Sequence, residues 1–280
     1  MKSIYFLLTL DASDERKRTV LLGSIIGDMV GSVYENAFFP MKQTDFPAWS
    51  PYSRFTDDTV LTVATAEAIL TDGDYGAAYR KWVNLFPRAG FSRSFRRWAS
   101  SEDSAPYNGF TNGSAMRVGP VGWAFATLEE TLAEAEKSAA CSHNHPEGIK
   151  GAQATAAAIF WARNGESKDF IRDAIAKRFG YDVSRTCEEI RPDYMLTFTC
   201  AETVPEALTA FLDASDFEEA IRLSISLGGD SDTLACIAGS VAEAFWGAAS
   251  IPNDWRQNAL ERLDARLKAV VDAFKAKFPA

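Results

Sequence analysis

The sequence predicts an all-α fold. Apolar residues recur at helical spacing through most of the chain, whereas alternating strand patterns are scarce. The clearest strand pattern is YMLTFTC at residues 194–200. Glycine, proline, serine and asparagine are dense at residues 36–55 and 99–122, which are therefore predicted to be long loops. Loops of this length inside a helical domain tend to be functional.

The first predicted helix lies within VLLGSIIGDMVGSVYENAF, residues 20–38. Its glycines stand four apart, so on a helix they form one smooth stripe that allows close backbone packing. They are Gly23, Gly27 and Gly31. The same helical spacing places Asp28 and Glu35, seven residues apart, on a common face.

Helical periodicity continues along the rest of the chain, with no fixed internal repeat. It predicts helices at 59–70, 75–86, 128–141, 148–163, 167–178, 204–213, 216–227, 232–246 and 254–277. Near the N-terminus, an apolar run ends at Leu10 without a convincing cleavage site after it. We interpret this run as a short strand or docking segment rather than a secretory signal.

Composition excludes several classes of protein. A chain of 280 residues with 47% apolar side chains can bury a large core. The net charge of -9 argues against a broad surface for nucleic acid or acidic membrane, although a local basic pocket could still accept a phosphate. No stretch reaches the roughly 20 apolar residues of a membrane helix. The four cysteines show no C-x-x-C spacing, which indicates reduced thiols and a cytoplasmic protein.

Two clusters of oxygen-bearing side chains lie at the N-terminal ends of predicted helices. The first, in RFTDDTVLTVATAEAIL, comprises Thr56, Asp57 and Asp58. The second, in SLGGDSDTLACIAGSVAEAFWG, comprises Asp230, Asp232 and Thr233. Either cluster alone fits an ordinary helix N-cap. Together their four carboxylates would repel one another strongly unless a cation neutralised them.

The donor atoms of these clusters indicate which metal they suit. Only oxygen donors are present, so Mg²⁺, Mn²⁺ or Ca²⁺ fits and Zn²⁺ does not. An EF-hand is excluded because its required glycine and glutamate are missing after Asp230.

Between the clusters lies a glycine-rich segment, PYNGFTNGSAMRVGPVGWAF, at residues 106–125. Its glycines can bring backbone N–H groups close to an anion, and Arg117 offers a fork that suits phosphate. Tyr107 and Phe110 could stack on a base. The same composition also fits an ordinary surface loop in which Arg117 forms an anchoring ion pair. His143 and His145 precede the next helix, where a polar or stacking role in a cleft is expected rather than metal ligation.

Five motifs, in chain order, resemble the ADP-ribosylglycohydrolase family. They are GDMVGSVYE, FTDDT, NGSAMRVGPVG, SHNHPEGIKGA and SLGGDSDTLACIAGSVAEA. The resemblance covers residues from about 20 to 250. It implies a compact, orthogonal multi-helix domain around a binuclear metal cleft that binds ADP-ribose. On this basis residues 20–280 form the domain and residues 1–19 an N-terminal extension.

The resemblance also implies roles for individual residues. The metal ligands are Thr56, Asp57, Asp58, Asp230, Asp232 and Thr233. The catalytic residues are Glu35, which matches a mobile acid, with Asp58 and Asp232. The substrate-binding residues are Gly113, Ser114 and Met116, in the loop that wraps the diphosphate in the family, and His143, which matches a ligand-facing histidine. Phe110 is added to them as a ring that could stack on a base.

The function implied is that of a hydrolase that uses two Mg²⁺ ions, or Mn²⁺, to remove ADP-ribose from a modified acceptor. The acceptor that we expect is a protein side chain. The hydrolase would cleave the glycosidic bond at the ribose anomeric carbon. We expect a cytoplasmic monomer with neither membrane nor nucleic acid as a partner. Two alternatives stay open: a two-metal nucleotide phosphoesterase, and a non-catalytic immunity or binding protein directed against an ADP-ribosyltransferase toxin.

Overall fold

The computed structural model describes residues 20–103 and 105–279. Within these ranges the secondary structure is helical and no strand is formed, so the predicted all-α class is confirmed. The segment 194–200, predicted as the best strand, contributes only one isolated bridge, between Thr111 and Thr199. The predicted N-terminal extension, with its short strand or docking segment, lies outside the described residues.

The helices account for most of the predicted ranges, with ends displaced by about four residues at most. In chain order they are α1 (Leu22–Gly31), α2 (Asp57–Leu70), α3 (Tyr75–Leu85), α4 (Arg93–Ala99), α5 (Gly113–Met116), α6 (Gly119–Ala124), α7 (Leu128–Ala140), α8 (Pro146–Arg163), α9 (Lys168–Phe179), α10 (Cys187–Ile190), α11 (Cys200–Asp213), α12 (Phe217–Ser226), α13 (Ser231–Trp246), α14 (Asn253–Arg262) and α15 (Ala265–Lys277).

Three boundaries correct the sequence analysis. Helix α1 ends at Gly31, well before residue 38. The range 254–277 is two helices, because the Asp264 side chain accepts a hydrogen bond from the Arg266 N–H and so caps a new helix. The loop predicted at 99–122 contains the short helices α5 and α6.

Helix α13 is the centre of the fold and packs against α1, α8, α11 and α12. Its contact with α1 depends on the predicted glycine stripe. A Cβ atom on Gly27 would lie 2.0 Å from the Ala235 carbonyl oxygen, and one on Gly23 would lie 2.2 Å from that of Gly239. The two helices therefore touch through their backbones, and this contact brings the end of α1 against the start of α13.

The long loop between α1 and α2 is anchored by Lys42. Its ammonium group donates to the carbonyl oxygens of Arg191, Tyr194 and Leu227 at 2.7, 2.6 and 2.6 Å. A lysine ammonium carries three N–H donors, so all three are satisfied by backbone. This anchor fixes the loop beside Gly228, two residues before the second acidic cluster.

Two further features concern membrane-spanning helices and cysteines. Among the described residues, no helix has both the length and the apolar character to cross a membrane. All four cysteines are free thiols.

Candidate active site

The two acidic clusters meet in one cleft, at the N-terminal ends of α2 and α13. The cleft is a cavity of about 360 Å³. Its walls include Glu35, Thr56, Asp57, Asp58, Gly90, Asn112, Gly113, Met116, His143, Asp230, Asp232 and Thr233. A larger, more open depression of about 1020 Å³ lies elsewhere and contains none of these residues. We therefore place the candidate site in the smaller cavity, where the predicted chemistry is concentrated.

The acids form two groups that share one member. Carboxylate oxygens of Asp28, Asp58 and Asp232 lie within 4.8 Å of one another, and so do those of Glu35, Asp230 and Asp232. Asp232 therefore stands between a fully buried group and a group that opens to solvent.

Asp28 belongs to the buried group and also organises the start of α2. Its carboxylate accepts hydrogen bonds from the Thr56 N–H at 2.9 Å, the Thr56 hydroxyl at 2.6 Å and the Thr59 N–H at 3.0 Å. It also accepts a bond from the Thr59 hydroxyl. Asp28 thus ties α1 to the first turn of α2 and fixes the orientation of the first cluster.

Asp58 has an oxygen that lacks a protein partner. Thr56 caps α2 by accepting from the Asp58 N–H at 3.4 Å, so the capping alternative does describe Thr56. The Asp58 side chain is buried, and its Oδ1 atom has no hydrogen-bond partner in the described part of the chain. A buried carboxylate oxygen without a donor is costly unless a cation faces it.

Asp230 is not a capping residue. It occupies the N-cap position of α13, yet its side chain makes no capping hydrogen bond. The carboxylate instead accepts from the Asn112 side-chain amide at 2.7 Å. The capping interpretation therefore does not explain the second cluster, and Asp230 is held facing the cleft.

Burial and mutual repulsion make these carboxyls hard to ionise. Burial, and next the charge of Asp232, raises the pKa of Asp28 to about 7. The same two causes raise the pKa values of Asp57, Asp58 and Asp230 well above the usual range of aspartate. A divalent cation would stabilise the ionised form of these carboxyls, because its positive charge offsets both their burial and their mutual repulsion.

The remaining predicted ligands also line the cleft. Asp57 is partly buried at the first position of α2 but stands outside both acid groups. Thr233 follows Asp232 in the first turn of α13, where its hydroxyl donates to the Met116 sulfur at 3.7 Å.

Glu35 reaches the cleft by a route that differs from the predicted one. Because α1 ends at Gly31, Glu35 does not share a helical face with Asp28, and that prediction is wrong. It lies in the loop that follows, exposed, yet it still joins Asp230 and Asp232 in the open acid group. Partial burial in the cleft, followed by the charge of Asp232, raises the pKa of Glu35 to about 7.

The glycine-rich segment forms the opposite wall of the cleft. Gly113 and Met116 line it, and a Cβ atom on Gly113 would lie 3.2 Å from His143 Nε2. The Ser114 hydroxyl is buried and donates to the Gly148 carbonyl at 2.7 Å, so it fastens α5 to α8. His143 is buried and its imidazole contacts the Thr111 hydroxyl at 2.9 Å. Burial, with Arg117 nearby, lowers the pKa of His143 well below the usual value.

Two side chains of this segment differ from expectation. Arg117 is fully buried, where it donates to the Ser138 carbonyl at 2.8 Å and lies 4.1 Å from the centroid of the Tyr79 ring. It therefore acts as an internal anchor, through a carbonyl and a ring rather than through the suggested ion pair. The Phe110 ring is 47% exposed, edge-on to His145, and stands outside the residues that line the cavity.

Sequence reasoning missed two residues of the site. The sequence marks Asp28 only by its spacing from Glu35, although a carboxylate on a helix face that packs closely against another helix needs a polar partner or a cation. Asn112 orients Asp230, but its place before a glycine made it look like an ordinary turn residue.

The residues present fit a divalent metal. The donors are carboxylate and hydroxyl oxygens, which suit hard cations. The unpartnered Asp58 Oδ1 atom marks a position where a positive charge is needed. These observations support a site for a divalent metal ion.

Known proteins resemble this chain in sequence and in fold. The ADP-ribosylglycohydrolase family model matches residues 9–279, so part of the segment 1–19 also matches. The chain is 25% identical to ADP-ribosylhydrolase ARH3 of Bos taurus, in an alignment that covers 87% of this chain and 88% of that protein. It is 24% identical to ADP-ribosylarginine hydrolase Tri1 of Pseudomonas putida, over 89% of this chain and 75% of that one. A solved structure described as an ADP-ribosylglycohydrolase-related protein complex superposes with a TM-score of 0.70 and 26% identity, covering 94% of this chain and 98% of that chain.

Proposed function

Since the chain belongs to the ADP-ribosylglycohydrolase family, we propose that it is a metal-dependent hydrolase that releases ADP-ribose from a modified acceptor. The acceptor is a protein side chain, and the bond cleaved is the glycosidic bond at the ribose anomeric carbon. The observation that carries this proposal is the pair of acid groups that share Asp232 in one cleft.

The metal would be held mainly by Asp58, Asp230 and Asp232, with Asp57, Thr56 and Thr233 completing the oxygen donors. When bound, Mg²⁺ or Mn²⁺ would supply positive charge for the ribose hydroxyls and would acidify water. Asn112 keeps Asp230 turned into the cleft, and Asp28 keeps the first turn of α2 in place.

Glu35 is our candidate for proton transfer. It is the one acid of the two groups that is exposed, and it lies beside Asp230 and Asp232. A group at the solvent side of the cleft can exchange protons with water and with the departing acceptor. The Gly113 wall and His143 would bind the rest of the ADP-ribose, because Gly113 leaves room there for a ligand to approach the backbone.

Kinetics of Glu35→Gln test this assignment. Loss of a transition-state role should lower kcat far more than it weakens ADP-ribose binding measured by calorimetry. Glu188→Gln, an exposed glutamate in the larger depression, serves as the matched control and should behave as the unaltered protein. Equal losses in turnover and binding would reduce Glu35 to a ligand contact, and full activity would remove it from the mechanism.

The acceptor linkage is tested separately. ADP-ribose conjugates of arginine, serine and nucleic acid would be incubated with the protein, with and without Mg²⁺. Release of ADP-ribose from a protein-type linkage only with metal supports the proposal. No release from any conjugate, with cleavage of pyrophosphate or phosphate esters instead, would favour the phosphoesterase alternative.

A further inference from the structure

A strongly basic stretch borders the candidate active site. Residues 75–101 contain no acidic side chain, although the chain as a whole has a net charge of -9. The basic residues of this stretch are Arg80, Lys81, Arg88, Arg93, Arg96 and Arg97. This local excess runs against the composition of the protein, so it calls for a specific partner.

Most of these guanidinium groups are exposed and unengaged. We name as the arginine rim the exposed residues Arg54, Arg88, Arg93, Arg96 and Arg97. Within residues 20–103 and 105–279, the guanidinium groups of these five arginines form no ion pair and no hydrogen bond, although the charge of Arg54 acts on Glu35 and opposes the rise that burial causes in the pKa of that carboxyl. Arg80 and Lys81 differ, because Arg80 donates to the Trp98 carbonyl and Lys81 pairs with Glu67.

The chain that carries the arginine rim adjoins the first acidic cluster at Asp57. Between Arg88 and Arg93 the chain turns at Gly90, whose φ of 122° favours glycine. A Cβ atom on Gly90 would lie 2.7 Å from the Asp57 Oδ1 atom. The turn thus forms a wall of the cleft, and an acceptor that projects from the cleft on this side must pass the arginine rim.

An apolar groove continues from the cleft along the arginine rim. It has a volume of about 450 Å³. Its lining is Arg54, Phe55, Leu85, Phe86, Pro87, Arg88 and Ala89. Arg54 and Ala89 also line the cleft, so the two cavities are contiguous. The groove therefore combines a mostly apolar lining with the side chains of Arg54 and Arg88.

We propose that the arginine rim and this groove bind the acceptor protein, through an acidic segment that carries an apolar side chain. The proposal rests on the proposed function, since it assigns the surface that receives the modified protein. Guanidinium forks match carboxylates in geometry and charge. Because Arg88, Arg93, Arg96 and Arg97 form no ion pair with any described residue, an incoming acidic segment meets these four without breaking existing pairs, and their charge steers its approach.

The aromatic rings of the groove favour a protein over a single-stranded nucleic acid. Phe86 is stacked on Trp82, with ring centroids 5.8 Å apart, and the Arg266 guanidinium lies 4.3 Å from its centroid. Phe55 stands edge-on to Phe86. These rings are already engaged, whereas single-strand binding depends on free aromatic faces for base stacking. The net negative charge elsewhere would also repel a long phosphate backbone.

Charge reversal on the arginine rim tests the proposal. The test variant is Arg88→Glu with Arg93→Glu, and the matched control is Lys177→Glu with Arg178→Glu on α9. Two substrates are compared: ADP-ribosyl arginine or serine as a single amino acid, and a glutamate-rich peptide carrying the same modification. We expect the test variant to raise the KM for the peptide at least about fivefold. The single amino acid conjugate should be processed normally by both variants.

Direct binding separates this proposal from the proposed function. A fluorescein-labelled, unmodified glutamate-rich peptide is titrated by anisotropy, which requires no catalysis. Weaker binding by the test variant than by the control, with the difference abolished at high salt, supports the proposal even if no conjugate is hydrolysed. Equal binding by the two variants overturns it. Tighter binding of a single-stranded oligonucleotide than of the peptide, lost in the test variant, also overturns it and assigns the arginine rim to nucleic acid.

Discussion

Gly31 in α1 lies directly against Asp232 in α13: a Cβ atom on Gly31 would come 2.5 Å from the Asp232 Cα. The residue shared by both acid groups is therefore fixed by contact between two helix backbones. Because Asp28 precedes Gly31 by less than one turn of α1, the same contact sets the spacing of the buried group. The geometry of the candidate metal site depends on how closely α1 and α13 pack.

This close packing predicts the effect of adding one methyl group. Gly27→Ala would place a Cβ atom 2.0 Å from the Ala235 carbonyl oxygen and force the helices apart. We expect it to lower the free energy of unfolding by about 2 kcal/mol. Gly76→Ala on α3 is the control, because its Cβ would meet nothing closer than 3.5 Å. Urea unfolding measures both, and equal stability of the two variants would contradict the packing described.

Asp28 and Asp230 should differ in how much they contribute to the stability of the fold. Asp28→Ala should destabilise the protein by about 3 kcal/mol, because buried N–H and hydroxyl donors of Thr56 and Thr59 lose their acceptor. Asp230→Ala should leave stability in metal-free buffer nearly unchanged, since it also removes repulsion from Asp232. Circular dichroism during thermal unfolding distinguishes them. Global unfolding of the Asp230→Ala variant would contradict this prediction and would show that Asp230 is needed for the fold.

Features that depend on the spacing of residues close together in the chain could be predicted from the sequence. The glycine stripe predicted close packing of α1, and the oxygen-rich N-terminal ends of two helices predicted two acidic clusters. Both inferences depend on residues near one another in the chain. The order of family motifs then supplied the contact between distant clusters that periodicity alone could not.

The course of the loops could not be predicted from the sequence. The predicted common face of Asp28 and Glu35 required α1 to continue past Gly31, yet it ends there and a loop carries Glu35 to the cleft instead. The sequence offers Arg117 as a phosphate ligand or the anchor of an ion pair, and does not reveal that it is buried against the Tyr79 ring where it also lines the cleft. Such features depend on tertiary contacts between remote segments.

A divalent cation should stabilise the folded protein. A ligand that binds the folded clusters alone raises the melting temperature by mass action. We expect millimolar Mg²⁺ or Mn²⁺ to raise it and a chelator to reverse the rise. Asp58→Asn should abolish the shift, whereas Asp45→Asn, at an exposed position outside the cleft, should retain it. A thermal scan without any metal effect would contradict a preformed metal site.

Glu206 on α11 should impose a pH dependence on stability. Burial raises the pKa of Glu206 from 4.5 to about 7, and its Oε2 atom has no hydrogen-bond partner among the described residues. The folded state therefore binds this proton more tightly than the unfolded state. Stability from this group is present below pH 4.5 and is lost as pH rises to about 7.

Replacing the Glu206 carboxyl with an amide should remove the loss of stability that occurs as pH rises. Glu206→Gln should be more stable than the unaltered protein at pH about 8, with the difference shrinking towards pH about 5. Melting temperatures at both pH values, with Glu188→Gln as the control, check this. A constant difference across the range would show that Glu206 ionises normally in the folded protein.

Hydrolysis in water enriched in heavy oxygen tests the central claim most directly. An ADP-ribosylated amino acid would be incubated with the protein and Mg²⁺, and the products analysed by mass spectrometry. Attack at the anomeric carbon places the label in the ribose released as ADP-ribose, with the diphosphate unlabelled and the acceptor regenerated. Label found in a phosphate group, or products formed at the same rate by Asp230→Ala, would contradict the account.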